Sequence, residues 1–232
     1  MYSRLKKDDD LIVEKVNGIE TYTFDPYNEI NREISKSVVQ DLLSNYNINE
    51  SINNFTLYKR AFIHRSYVKR PELMTTTIKR KQVVMMPKPD GCMELSTKSN
   101  ERLEFLGDSV LGLAVNEYLY NHFPEKNEGD LTKMKSSLVC GTTLAKVALS
   151  INLGNYITMS HGEATTGGRE RSSILADTVE ALLGAVYLDS GMITTKGVVN
   201  HLVLMRVDSF LDENNLTNSK SRLQEILQAK FK

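Results

Sequence analysis

The sequence predicts an all-α domain with a short N-terminal β-hairpin arm. Three observations point there. Asn17-Gly18 lies between two strand-like runs, Leu11-Ile12-Val13-Glu14-Lys15-Val16 and Ile19-Glu20-Thr21-Tyr22-Thr23-Phe24. From Asn28 onward the apolar residues recur at helical spacing. Two of the later helical runs also set acids at i, i+3 positions among core-type residues, as a helix that buries one polar stripe would.

Each element follows in order. Asn-Gly is the strongest short hairpin signal, because both residues accept the positive φ of a type I′ turn. A free hairpin is marginal in water, so the arm, residues 1–27, is expected to pack on the helical body or on a partner. Ile30, Ile34, Val38, Leu42 and Leu43 make the first apolar helical stripe. Further helices are expected at about 55–66, 101–123, 130–150, 170–189 and 195–213, with Pro124 and Gly129 bounding the long central one. Gly107, Gly112 and Gly184 fall inside helical patterns, where each costs about 1 kcal/mol relative to Ala. Close approach of a neighbouring helix is the expected compensation. Residues 68–98 break the periodicity with Pro71, Pro87, Pro89, Gly91 and Thr75-Thr76-Thr77, which disfavours a regular long element.

The chemistry concentrates in Asn100-Glu101-Arg102-Leu103-Glu104-Phe105-Leu106-Gly107-Asp108-Ser109. Glu101, Glu104 and Asp108 fall within an arc of about 60° on a helix. Leu103, Phe105, Leu106, Val110, Leu111 and Leu113 surround them with residues of core type. Three acids on one stripe repel, and burying them is costly, so a cation is the expected partner. A second run, Ser173-Ile174-Leu175-Ala176-Asp177-Thr178-Val179-Glu180-Ala181-Leu182-Leu183-Gly184, places Asp177 and Glu180 on one face. Two facing helices would bring Glu104, Asp108, Asp177 and Glu180 into one cage of hard oxygen donors, suited to Mg²⁺ with Mn²⁺ as a substitute.

These residues carry a family resemblance. The stretch 100–109 resembles the signature of the ribonuclease III family. The likeness continues through Glu128-Gly129-Asp130-Leu131, Gly162-Glu163, Gly167-Gly168 and Ser173 to Ala181, and upstream through Ala61-Phe62-Ile63-His64-Arg65-Ser66-Tyr67. It implies a ribonuclease III-type helical endonuclease domain over residues 28–215, with 68–98 as an insertion. It also implies a Mg²⁺-dependent endoribonuclease that hydrolyses double-stranded RNA to 5′-phosphate and 3′-hydroxyl ends in RNA processing. By residue, the resemblance implies catalytic roles for Glu101, Glu104, Asp108, Asp177 and Glu180. The last four would be the metal ligands, Glu101 a supporting acid, and Glu128 an acid near the site. Phe105 reads from spacing alone either as core or as a ring reaching a partner. The resemblance implies the second, in a homodimer with one site per RNA strand.

The residue types agree with that chemistry. A metal acidifies a bound water and neutralises charge on the leaving oxygen, so no side chain need become covalent. Cys92 and Cys140 stand in no His-bearing motif, and His64, His122, His161 and His201 show no metal-ligand spacing. Candidate RNA contacts are Lys79, Arg80 and Lys81 in the insertion, which reads equally as a solvated loop. Arg169 and Arg171 follow Gly167-Gly168 at a helix N-terminus, where a phosphate-contacting loop and a plain turn fit equally.

Composition bounds the alternatives. The chain of 232 residues carries 29 basic and 29 acidic side chains and 41% hydrophobic residues. A neutral balance is unexpected for an RNA binder; bound metal would offset the acids, and the family places much of its RNA affinity in a separate basic domain. Residues 216–232 resemble the first helix of such a double-stranded-RNA-binding domain, so the rest of that domain is expected to be missing. No apolar run suits a membrane span, Met1 to Asp10 holds no secretory apolar region, and two unpaired cysteines suit a reducing interior. The expected compartment is therefore cytoplasmic or nucleocytoplasmic. Two rival readings are a binding protein that sequesters double-stranded RNA uncut, and an all-helical Mg²⁺-dependent nucleotide pyrophosphohydrolase.

Overall fold

The computed structural model describes residues 10–16, 19–45, 51–69, 77–78 and 81–206. They form a mostly helical body with a small mixed sheet at its N-terminal side. The expected start of an RNA-binding domain at 216–232 lies outside the described residues.

The hairpin forms as its turn signal implies. Strands β1 (Leu11–Val16) and β2 (Ile19–Phe24) pair antiparallel, from Leu11 with Phe24 to Val16 with Ile19. The insertion departs from expectation. It supplies β3 (Thr77–Ile78) and β4 (Lys81–Met85), and β4 adds in parallel to β2, giving the order β1-β2-β4-β3. Lys-Gln-Val-Val-Met is short but holds two β-branched residues, and a third strand relieves the marginal stability of a lone hairpin. The base of the insertion is clasped: Lys69 N donates to Ser96 O at 2.8 Å, Ser96 N to Tyr67 O at 3.1 Å, and Tyr67 Oη to Met93 O at 2.8 Å.

The sheet docks on the helical body, as a marginal hairpin must on something. Phe24 is buried, and Gly162 N donates to the buried Asp10 carboxylate at 2.7 Å. Asn31 Nδ2 donates to Met159 O at 2.9 Å and Asn28 Nδ2 to the same oxygen at 3.2 Å. These two asparagines explain why the first helix, α1 (Lys36–Ser44), starts later than its apolar stripe. Asn28 Oδ1 accepts from Ile30 N in a local turn, leaving Ile30 70% exposed, and Ser35 Oγ caps α1 by accepting from Val38 N.

The remaining helices are α2 (Phe55–Ala61), α3 (Glu101–His122), α4 (Glu128–Leu138), α5 (Gly141–Ser150), α6 (His161–Thr165) and α7 (Ser172–Leu202). The helix expected over 130–150 is two, because Cys140 is extended and Thr143 Oγ1 donates to Ser137 O at 2.8 Å across the corner. α7 is broken at Gly191, whose φ of +79° suits glycine alone, in the gap expected between the last two helices. α2 is shorter than expected, since Phe62 and Ile63 leave it to bond Thr158 and Asn100.

The core lies between α3 and α7, where Leu103, Leu111 and Val115 face a stretch of α7 that includes Val179, Leu183 and Val186, all buried. α5 covers α7 with Leu144, Val147 and Ala148. The long apolar run 181–186 is buried all round, as a central helix should be. Leu113, placed by sequence among core residues, is 52% exposed on the outer side of α3, and Phe105, which spacing left open between core and surface, is 78% exposed. Gly112 meets no backbone; the closest atom to a Cβ there would be Lys135 Nζ at 3.6 Å. Among the described residues no helix is long and apolar enough to cross a membrane.

Candidate metal centre

The start of α3 is fixed before any acid is placed. Asn100 N donates to Ile63 O at 2.9 Å, and Asn100 O accepts from Leu103 N and Glu104 N. Glu101 and Glu104 then occupy the first turn, where the helix dipole favours anions. Asp177 and Glu180 lie on α7, whose Gly184 and the Gly107 of α3 permit backbone-to-backbone approach: a Cβ at 184 would stand 2.3 Å from Leu103 O.

That approach brings the two acid pairs together. Glu104, Asp177 and Glu180 each offer a carboxylate oxygen, and the three oxygens lie within 4.8 Å of one another. All three residues are half-buried. Burial pushes Glu180 up to about 8, and the negative charges of Asp108, Asp177 and Glu104 add to it. Burial also raises Glu104, helped by Asp177 and Glu101, and raises Asp177. Three crowded, partly buried carboxylates could hold a cation: a divalent ion would remove their repulsion and satisfy desolvated oxygens. The all-oxygen donor set fits a hard ion such as Mg²⁺.

The other two expected acids stand at the margin. Asp108 is exposed one turn along α3 and is not among the three converging acids, yet among the neighbouring charges it is the first to raise Glu180. Glu101 is exposed, accepts from Ser99 Oγ at 2.7 Å, and pairs with Arg65 at 3.8 Å. Glu128, at the start of α4, does not line the acidic cleft; it borders a groove with Leu113, Tyr120 and Leu131.

A cleft of about 360 Å³ opens over the cage, with Glu104 and Asp177 in its lining. Its basic lining residues are Arg65, Arg171 and the largely buried His64. Arg171 ion-pairs with Glu163 and donates to Thr166 O at 3.1 Å. Arg169, expected at the RNA, points inward instead, donating to Gly154 O, Ile157 O and Asn31 Oδ1 at 2.7–3.1 Å. Three of its five N–H donors are thereby held by acceptors within the chain. Lys79 and Arg80 lie outside the described residues, and of Lys81 only the backbone is described. Arg65 and Asn100 are among the lining residues to which spacing assigned no role. Neither belongs to the acidic periodicity that marks the cage, and only the return of the chain at Ile63 to Asn100 brings Arg65 there.

Comparison with known proteins agrees with this arrangement. Residues 54–207 match the family described as Ribonuclease-III-like. The chain is 42% identical over 186 residues to ribonuclease 3 of Clostridium beijerinckii, covering 78% of this chain and 68% of that relative. It is 51% identical over 135 residues to ribonuclease 3 of Clostridium botulinum strain Eklund 17B, covering 56% of each. The nuclease domain of ribonuclease III from Campylobacter jejuni, described as having a region involved in dimer formation, superposes with a TM-score of 0.56 at 33% identity. That match covers 72% of this chain and 95% of that domain. The chain therefore belongs to the ribonuclease III family.

Proposed function

We propose that the chain is a Mg²⁺-dependent endoribonuclease that cuts both strands of double-stranded RNA as a homodimer. The observation that carries this reading is the convergence of Glu104, Asp177 and Glu180 within 4.8 Å from two separate helices. Glu104, Asp177 and Glu180 hold the cation, Asp108 completes the donor set from the edge, and Glu101 orients the wall of the cleft. Mg²⁺ bound there supplies an acidified water and neutralises charge on the departing 3′-oxygen; Mn²⁺ substitutes. The chain's own contribution is to fix the donors on rigid helices, to keep them partly desolvated, and to seat the backbone over them in the cleft. The outer face of α3 supports the assembly: Phe105, Leu113 and Tyr120 are all exposed there, within an arc of about 80°. Phe105 is the ring that reaches the second copy.

Duplex RNA with and without Mg²⁺ tests the reading. Metal-dependent cleavage to 5′-phosphate ends is expected, and Glu180→Gln should keep the fold while losing at least about 100-fold in rate. Retention of uncut duplex would favour a sequestering protein, and pyrophosphate release from free nucleotides would favour a pyrophosphohydrolase. A Glu180→Gln variant cutting at the parental rate would overturn the cage assignment.

A further inference from the structure

The two arginines of the acidic cleft are held differently. Arg171 is committed, with Glu163 on one nitrogen and Thr166 on the other. Arg65 is not. Its side chain is 72% exposed, and its one ion pair among the described residues, to Glu101, is 3.8 Å long. A committed guanidinium–carboxylate pair closes to about 2.8 Å. The root of Arg65 is nonetheless rigid. It opens the 3₁₀ turn Arg65–Tyr67, whose cap His64 accepts from Ser66 N through Nδ1, and His64 N donates to Thr158 O at 2.9 Å. Tyr67, at the other end of the turn, is fully buried. A fixed base carrying a long, loosely tethered cation thus stands at the wall of the cage.

Its resting attraction is to the acids. The positive charge of Arg65 acts on Glu104 from α3 and on Asp177 from α7, lowering both against the burial that raises them. A divalent ion in the cage would cancel that attraction, since it neutralises the same carboxylates and repels the guanidinium. Arg65 then needs another anion, and the one brought to this cleft by a nucleic-acid substrate is the phosphate backbone. A planar fork of donors matches two non-bridging oxygens of one phosphate.

We propose that Arg65 is a phosphate-binding residue of the cleft: its guanidinium takes the non-bridging oxygens of the RNA phosphate next to the one seated over the acid cage, and Glu101 is its resting partner. The inference rests on the nuclease reading above. It places Arg65 on the substrate, not on the metal, so its loss should be felt in binding and in KM before it is felt in the metal affinity.

The test uses the full chain and a short RNA duplex, with fluorescence anisotropy in Ca²⁺ reading binding and cleavage in Mg²⁺ reading activity. Arg65→Ala should weaken duplex binding roughly tenfold and flatten the slope of log affinity against log salt by about 1 for each Arg65 engaged. KM should rise by a similar factor, and Mg²⁺ affinity by calorimetry should hold or improve. Arg65→Lys should keep the salt slope, because the charge remains, and lose part of the affinity with the fork. Arg65→Gln serves in place of Arg65→Ala should the latter melt early. Unchanged binding and slope, with loss confined to Mg²⁺ affinity or melting temperature, would make Arg65 a counter-ion of the acids and overturn the proposal. Wild-type chain that neither binds nor cuts the duplex would overturn the nuclease reading and this assignment together; wild-type activity with an unaffected Arg65→Ala overturns this assignment alone.

Discussion

Gly107 on α3 rests against the backbone of Glu180 on α7: a Cβ added at position 107 would stand 1.7 Å from the Glu180 carbonyl oxygen. The helix that carries Glu104 and Asp108 therefore touches, backbone to backbone, the residue that contributes a carboxylate from the other side. The helix spacing that a glycine allows is the same spacing that brings the three acids together, so packing and the candidate metal site share one contact.

Gly107→Ala should accordingly do two things at once. Overpacking against a carbonyl cannot be relieved by a rotamer, so a loss of about 1–3 kcal/mol or more is expected. Moving α7 away also draws Glu180 from Glu104, so Mg²⁺ should stabilise the variant less than it stabilises the parent. Gly112→Ala is the control on the same helix. With only Lys135 Nζ within reach, at 3.6 Å, it should be neutral or gain up to about 1 kcal/mol from helix propensity. Thermal melts of both variants with and without Mg²⁺ decide it; equal behaviour of the two would sink the argument.

The metal-free protein should lose stability as the pH rises. Glu180 is raised from 4.5 to about 8 in the folded chain, first by burial and then by its acidic neighbours. Folded molecules therefore hold a proton that unfolded ones release, and the unfolding free energy falls across the window from about 4.5 to about 8. Glu104 and Asp177, both raised, add the same sign. Mg²⁺ should flatten the trend or reverse it, because ionised carboxylates are what it binds. In EDTA, Glu180→Gln should remove much of the slope and leave the variant more stable than the parent at about pH 9. Urea titrations across that range check this, and a metal-free parent that gains stability with pH would contradict it.

How much could be read from the chain depends on what each signal reports. Periodicity found the acids Glu101, Glu104, Asp108, Asp177 and Glu180, because a polar stripe inside an apolar pattern is a local property of a helix. The Asn-Gly signal at 17–18 is local in the same way, and Val16 pairs with Ile19 on either side of it. Arg65 stood in a stretch that resembles the family but had no role there, since Ile63 and Asn100 come together only in the folded chain. Arg169 was open to two readings for a related reason: a glycine-rich approach to a helix suits a phosphate or a plain turn, and only the fold shows the backbone oxygens of Gly154 and Ile157 against the guanidinium. The pairing of β4 with β2 is likewise non-local, and strand propensity in five residues of a proline-rich insertion is too weak to announce it.

Phe105 is the residue through which the proposed assembly can be tested. It follows Glu104 in α3, so its side chain leaves the helix about 100° from the cage. It is 78% exposed, with Leu113 and Tyr120 on the same outer face, whereas the inner face of α3 is buried against α7. Packing of this ring against a second copy is the expected assembly, with each copy offering Phe105 to the other under a two-fold axis. Phe105→Asp should therefore leave the fold of the single chain intact, because the ring makes little of the core, and shift the protein from dimer to monomer at micromolar concentration. Desolvating a carboxylate in an apolar pocket opposes association. Sedimentation velocity on parent and variant reads the masses directly, and far-ultraviolet circular dichroism confirms that the variant is folded. Cleavage adds a second reading: a monomer presents one acid cage, so duplex RNA should be cut far more slowly, and any residual product should be nicked in one strand. A Phe105→Asp protein that sediments as the parent does would remove this ring from the interface.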